Sequence, residues 1–184
     1  LKIGVVTFDP IPKMFFNSKI KNYRISNFNQ KVVCLKKFGV DFIINKIFDK
    51  KFSKITCMEF IKDILSKKLS SKFIFVSNNF RFGNNREGDV ILLKKYENIF
   101  GYNLVKPNPL IKNKKIISST IIRKLLEEGN LAKANNFLKR NWEIEGTVQK
   151  GRMMGKKIGF PTCNIDIENY VIAKPGVYAV RVRI

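Results

Sequence analysis

Two textures of apolar and polar positions succeed one another along the chain. Over roughly its first 138 residues, strand-length apolar runs alternate with segments of helical spacing. KIGVVTF (Lys2–Phe8) is β-branched and predicts a buried strand. Phe28–Phe38 carries Val32, Leu35 and Phe38 at helical intervals and ends at Gly39. DFIINKIF (Asp41–Phe48) begins as a second buried strand. TCMEFIKDILSKKL (Thr56–Leu69) predicts an amphipathic helix: Thr56 and Glu59 form a capping box, and Phe60, Ile64 and Leu65 line one face. KFIFV (Lys72–Val76) is a third strand, DVILLKKYENIFG (Asp89–Gly101) a glycine-stopped helix, and YNLVK (Tyr102–Lys106) a fourth strand. Such alternation predicts an α/β fold with a parallel sheet wrapped by helices, whose ligands sit at the carboxyl ends of the strands.

From Trp142 the helical spacing disappears. EIEGTVQKG, GFPTCNIDI and GVYAVRVRI are short strand-like runs separated by glycines, the texture of an antiparallel barrel. A boundary falls near Lys139–Asn141, giving expected domains 1–139 and 140–184. Leu1 is not a start methionine and PGVYAVRVRI stops in what reads as mid-strand, so the sequence is expected to be an internal piece of a longer protein.

Composition changes this picture little, except in charge. Among 184 residues, 36 Lys and Arg against 14 Asp and Glu give a net charge of +22. The lysines are scattered singly or in pairs and form no long block or helical stripe. Together with abundant Asn, Ile and Phe they fit an A/T-biased codon usage, and an anionic ligand is the other source of such a balance. No apolar run approaches the roughly 18 residues of a membrane span. The three cysteines, Cys34, Cys57 and Cys163, show no CxxC spacing and read as reduced thiols. Histidine is absent, which excludes Ser-His and Cys-His catalysis by these residues.

Four stretches carry candidate chemistry. In ISSTIIRKLLEEG (Ile117–Gly129), hydroxyls at a helix start and Arg123 one turn in suit a phosphate cradle, or plain capping. The loop SNNFRFGNNREGD (Ser77–Asp89) follows the third strand. A hydrophobic core has little use for it, whereas aromatic faces and arginines suit a planar phosphorylated ligand. TFDPIP (Thr7–Pro12) leaves the first strand through prolines that disfavour a helix, as a pocket wall or a rigid connector. In KKIGFPTCNI (Lys156–Ile165), an extended backbone would put Thr162 and Asn164 on one face. Their hard oxygens suit Mg²⁺ with a nucleotide phosphate; two surface polar residues are the plainer reading.

In order, TFDPIP, FRFGNNREGD, ISSTIIR, EGTVQKGRMMGKKIGFPTCNI and PGVYAV resemble the successive motifs of the bacterial bifunctional riboflavin kinase/FMN adenylyltransferase (FAD synthetase) family, over nearly the whole chain. The resemblance implies a Rossmann-like nucleotidylyltransferase domain followed by the start of a riboflavin-kinase barrel. It implies Mg²⁺ on Thr162 and Asn164, and ATP phosphates on those two residues with Gly151 and Lys156. In the first domain it places ATP on Ser118, Ser119 and Arg123, and flavin nucleotide near Phe80, Phe82, Gly83 and Gly88. Riboflavin, FMN and ATP are then the expected small-molecule partners of a cytoplasmic enzyme with no nucleic-acid or membrane partner. The chain departs from the pattern at Ile11, where the family has histidine, at Ser77, where it has glycine, and at Asn79 before Phe80. The adenylyltransferase's paired histidines are expected upstream of Leu1 and the kinase's catalytic glutamate downstream of Ile184, so the stretch by itself is expected to be nearly inactive. The alternatives are a kinase whose first domain has lost its transferase activity and, in another class, a basic nucleic-acid-binding module.

Overall fold

β1 (Gly4–Asp9) and β2 (Phe42–Ile47) lie side by side in a computed structural model that describes residues 1–112, 114–151 and 154–183. The side chains of Met154 and Lys156 fall outside that description. The hydrogen bonds Asp41 N to Ile3 O and Phe48 N to Asp9 O advance in the same direction along both strands. Both strands were expected to be buried, and neither is. Val5, Thr7 and Phe8 are half-buried while Val6 and Ile47 are exposed. One neighbour on one edge covers too little of a two-strand ribbon to bury both its faces.

Between them stand α1 (Pro12–Phe16) and α2 (Phe28–Lys37). The prolines of TFDPIP do not keep the chain out of helix, because Pro12 opens α1 at the first helical position, where a missing N–H is harmless. α2 starts with a reciprocal cap: Asn27 Oδ1 accepts from Gln30 N at 2.8 Å, and Gln30 Oε1 accepts from Asn27 N at 3.0 Å.

The capping box of Thr56 and Glu59 forms as expected and starts α3 (Cys57–Glu59). The helix runs on through Phe60–Lys68 with wider winding, ending where Leu69 N donates to Ile64 O. It buries Phe60, Ile61 and Leu65 against Ile74, Phe82, Leu93 and Tyr102. β3 (Phe73–Phe75) pairs in parallel with β6 (Asn103–Val105), Ile74 opposite Leu104, which gives the α/β character its parallel element. Between these strands the loop 77–89 is folded: β4 (Arg81–Phe82) and β5 (Gly88–Asp89) pair antiparallel. The single helix expected over 89–101 is two, α4 (Val90–Lys95) and α5 (Glu97–Phe100). They part at Tyr96, beside Glu97, whose carboxylate accepts from Leu104 N at 2.6 Å and so ties α5 to β6. A short hairpin, β7 (Ile111–Lys112) with β8 (Lys115–Ile116), follows.

α6 (Ser119–Glu127) and α7 (Leu131–Leu138) pack a second core of Ile122, Leu125, Leu126, Ala134, Phe137 and Val171. Beyond Trp142, β9 (Val148–Gln149) and β10 (Asn164–Ile165) form one antiparallel pair, and α8 (Met154–Lys157) stands between them where no helix was expected. The expected barrel is not seen among the described residues. Tyr178, Val180 and Val182 alternate as a strand would, yet they are exposed and no strand among the described residues pairs with them. A barrel strand exists only by virtue of its hydrogen-bonded neighbours.

The chain divides into two units. One comprises Leu1–Val6, Phe16–Ile44 and Ile117–Ile184; the other comprises Thr7–Phe15 and Asn45–Ile116. Within the first unit, contacts cross the position where composition changes. Val171 N donates to Arg24 O, and the buried Tyr170 hydroxyl donates to Gln30 Oε1 at 3.0 Å and accepts from Glu145 N at 3.3 Å.

Candidate functional site

In the first unit, the start of α6 has the chemistry of an anion site. Ser118 is the cap: its hydroxyl accepts from Ile121 N at 3.3 Å, and Ser119 and Thr120 next to it are exposed. A nine-residue helix presents unpaired N–H groups and positive dipole charge at this end. Arg123 lies one turn further on. Its Nε donates to the Tyr23 carbonyl at 2.7 Å, and its guanidinium carbon stands 3.5 Å above the centre of the Tyr23 ring. Burial there lowers its pKa from the ordinary guanidinium value. Tyr23 was not found from the sequence, being 100 residues away with no motif around it.

The loop between β3 and α4, in the second unit, is more hydrophobic in role than its composition suggested. Phe82 is only 7% exposed, stacked on Phe80 at 5.5 Å and against Phe60 at 5.2 Å. The core does use this loop. Gly88 is buried under the Phe82 ring, where an added Cβ would come within 2.6 Å of it. Gly83 has φ +76, and a Cβ there would lie 2.7 Å from Cys57 N, so both conformation and space require glycine. Of the four expected flavin contacts, Phe82 and Gly88 are buried while Phe80 and Gly83 are half-buried. Arg81 pairs with Asp89 at 3.3 Å, and Glu87 Oε1 accepts from Cys57 N at 2.8 Å. In the same unit Phe8, from TFDPIP, meets Phe48 edge-on at 5.8 Å and Phe52 at 5.5 Å, an aromatic cluster that no local spacing announced.

The stretch between β9 and β10 brings together residues that are far apart in sequence. The register places Asn164 opposite Gln149, which folds the Asn164 side chain over Gly151. A Cβ at Gly151 would fall 1.9 Å from Asn164 Nδ2. A Cβ at Gly155 would fall 2.1 Å from the Phe160 carbonyl and 3.0 Å from Thr162 Cγ2. Both glycines therefore permit a close turn that presents Thr162 and Asn164, each exposed. The strand expected across Thr162 and Asn164 begins only at Asn164, since Pro161 and Thr162 lie outside β10. The side chain of Lys156, the remaining expected phosphate contact, lies outside the described residues.

The donor set fits Mg²⁺ in one form. A hydroxyl and an amide carbonyl are hard oxygens, but two neutral ligands hold this ion only together with waters and phosphate oxygens. Among the described residues no group of three or more Cys, Asp and Glu side chains is arranged to hold a metal.

Comparison with known proteins finds two family models in succession, FAD synthetase over residues 1–121 and riboflavin kinase over residues 138–184. Curated relatives carrying the name bifunctional riboflavin kinase/FMN adenylyltransferase include one from Buchnera aphidicola of Acyrthosiphon pisum, 38% identical over 97% of this chain and 57% of its own length. Another, from Escherichia coli K12, is 36% identical over 99% of this chain and 58% of its own. The chain thus spans a little under three-fifths of these relatives. A solved structure described as a macrolide-efflux protein from Streptococcus pneumoniae superposes with a TM-score of 0.79 at 28% identity, covering 97% of this chain and 58% of that one. No helix among the described residues is long and apolar enough to cross a membrane.

Proposed function

Because the chain belongs to the bifunctional riboflavin kinase/FMN adenylyltransferase family, we propose that the whole protein makes FMN and FAD, phosphorylating riboflavin with ATP and then adenylylating FMN. The observation that supports this reading is the turn between β9 and β10, where Gly151 leaves no room for a Cβ beside Asn164 and Gly155 none beside Phe160 and Thr162, so that the two polar residues named by the family pattern sit on glycine-lined backbone. Residues 1–139 are the adenylyltransferase, of nucleotidylyltransferase type. Residues 140–184 begin the kinase barrel, whose further strands the complete protein supplies. The order of the two family matches supports this division.

Both reactions are displacements at phosphorus, driven by positioning and charge neutralisation. In the kinase, the riboflavin ribityl hydroxyl attacks the γ-phosphorus of ATP, ADP leaves, and a carboxylate beyond this stretch accepts the proton. Thr162 and Asn164 orient the phosphates, and Gly151 and Lys156 line their approach. Mg²⁺ carried by the nucleotide supplies neutralising charge there. In the transferase, an FMN phosphate oxygen attacks the α-phosphorus and pyrophosphate leaves. The amide groups at the start of α6, with Ser118, Ser119 and Arg123, stabilise the charge building on it. Phe80, Phe82, Gly83 and Gly88 shape the flavin side. The enzyme is cytoplasmic, and the +22 charge of this stretch, beyond what codon usage accounts for, suits phosphorylated substrates rather than nucleic acid.

Ile11 and Ser77, which depart from the family pattern, favour a second reading in which only the kinase survives. The test uses the complete protein with riboflavin, ATP and Mg²⁺, following FMN and FAD separately by chromatography, beside Thr162→Ala. The expected result is FMN then FAD, with the variant losing phosphorylation while still converting supplied FMN. FMN without FAD would establish the kinase-only reading, and neither product from folded protein would sink both.

A further inference from the structure

We infer that Tyr23 is a positioning residue for adenylyl transfer, holding Arg123 flat and aimed, and that residues Asn169–Val171 hold Tyr23. This rests on the reading that Arg123 binds ATP phosphates. A free arginine has many rotamers, and fixing one on a phosphate costs conformational entropy. Here that cost is met before ATP arrives, by two contacts of different kind. The Tyr23 carbonyl accepts from Nε at 2.7 Å, and the Tyr23 ring lies 3.5 Å beneath the guanidinium carbon. Together they fix both the plane and the rotation of the group within it. With Nε committed, the edge carrying the two Nη groups is the one through which Arg123 can fork onto a phosphate.

Tyr23 is itself pinned. Its N–H donates to the Asn169 carbonyl at 2.9 Å, the Arg24 N–H donates to the same oxygen at 2.8 Å, and Val171 N–H donates back to the Arg24 carbonyl at 2.8 Å. Val171 is 1% exposed in the core that also contains Ile122, Leu125 and Leu126 of α6. The strap that holds Tyr23 is therefore anchored on the helix that carries Arg123. It comes from a stretch of the chain matched by the riboflavin kinase model.

The test measures, on the full-length protein, kcat and KM for ATP in FMN adenylylation, with riboflavin phosphorylation followed in parallel. The variants are Tyr23→Phe, Tyr23→Leu, Arg123→Ala and the Tyr23→Leu/Arg123→Ala double. Tyr23→Phe keeps both ring and carbonyl and should stay within about twofold of wild type. Tyr23→Leu should lower kcat/KM for ATP by about three- to thirtyfold, the range for losing a partly buried cation–π contact, without changing phosphorylation. In the Arg123→Ala background Tyr23→Leu should cost nothing more, because the group it positions is gone. Should Tyr23→Leu fail to fold, Tyr23→Met fills similar space without a π face and takes its place. Equal losses in Tyr23→Phe and Tyr23→Leu, or a full additional loss in the double variant, would overturn the positioning role. An Arg123→Ala variant that adenylylates normally would instead remove the underlying assignment of Arg123.

Discussion

Replacing Gly151 by alanine tests whether the close approach of β9 and β10 serves the kinase reaction. The backbone tolerates the change, since Gly151 does not lie in the left-handed region. Space is the obstacle: the new methyl would sit 1.9 Å from Asn164 Nδ2, where ordinary contact begins at 3.4 Å. The Asn164 amide must therefore retreat by about 1.5 Å, the difference between those distances. It is the end of an exposed side chain, so it can swing aside without moving the strand, and Tm should change by less than about 2 °C. Its oxygen cannot then stay where a phosphate-bound ion needs it. A misplacement of this size costs on the order of 100-fold in rate, about 2.7 kcal/mol. The assay is kcat/KM for riboflavin phosphorylation by the complete protein, with conversion of supplied FMN to FAD as an internal control. A phosphorylation rate within about threefold of wild type would refute the argument that Gly151 makes room for Asn164 as a ligand. Equal loss in both reactions would mean that the substitution acts through folding.

Phe82→Ala should destabilise the protein by about 3–5 kcal/mol, because a ring only 7% exposed leaves a cavity between Phe60 and Phe80. Phe80→Ala, from a half-buried site, should cost about 1–2 kcal/mol, so chemical denaturation separates core from ligand roles before any flavin assay. The Tyr102 hydroxyl donates to Leu93 O, and burial pushes its pKa up to about 12 from 10.0. A raised folded value means that this stability is complete below pH 10 and is lost as pH climbs towards 12. The stability gap between wild type and Tyr102→Phe, followed by denaturation at several pH values, should shrink across that interval; a constant gap would contradict the assignment.

Local chemistry was legible wherever a signal lay within a few residues. The capping box of Thr56 and Glu59, the apolar face that Phe60 and Leu65 share, and the hydroxyl start of α6 follow from spacings that a single helix satisfies by itself. The alternation of strands and helices likewise announced the parallel pair β3–β6. Partners that meet only through folding were not legible. Nothing along the chain joins Tyr23 to Arg123, or Tyr170 to Gln30, since each pair is 100 or more residues apart and no motif contains Tyr23, Tyr170 or Gln30. The loop 77–89 misled for a related reason: its polar composition is local, while the burial of Phe82 depends on Phe60 and Gly88 closing around it. Strand-like alternation at Tyr178, Val180 and Val182 marks a capacity to pair, and pairing needs a neighbour that alternation cannot provide. Residue types and short spacings thus determined which groups the chain offers: hydroxyls and an arginine at a helix start, and a hydroxyl and an amide beside glycines. Tertiary structure decided which of those groups are held, by what, and which are spent on the core.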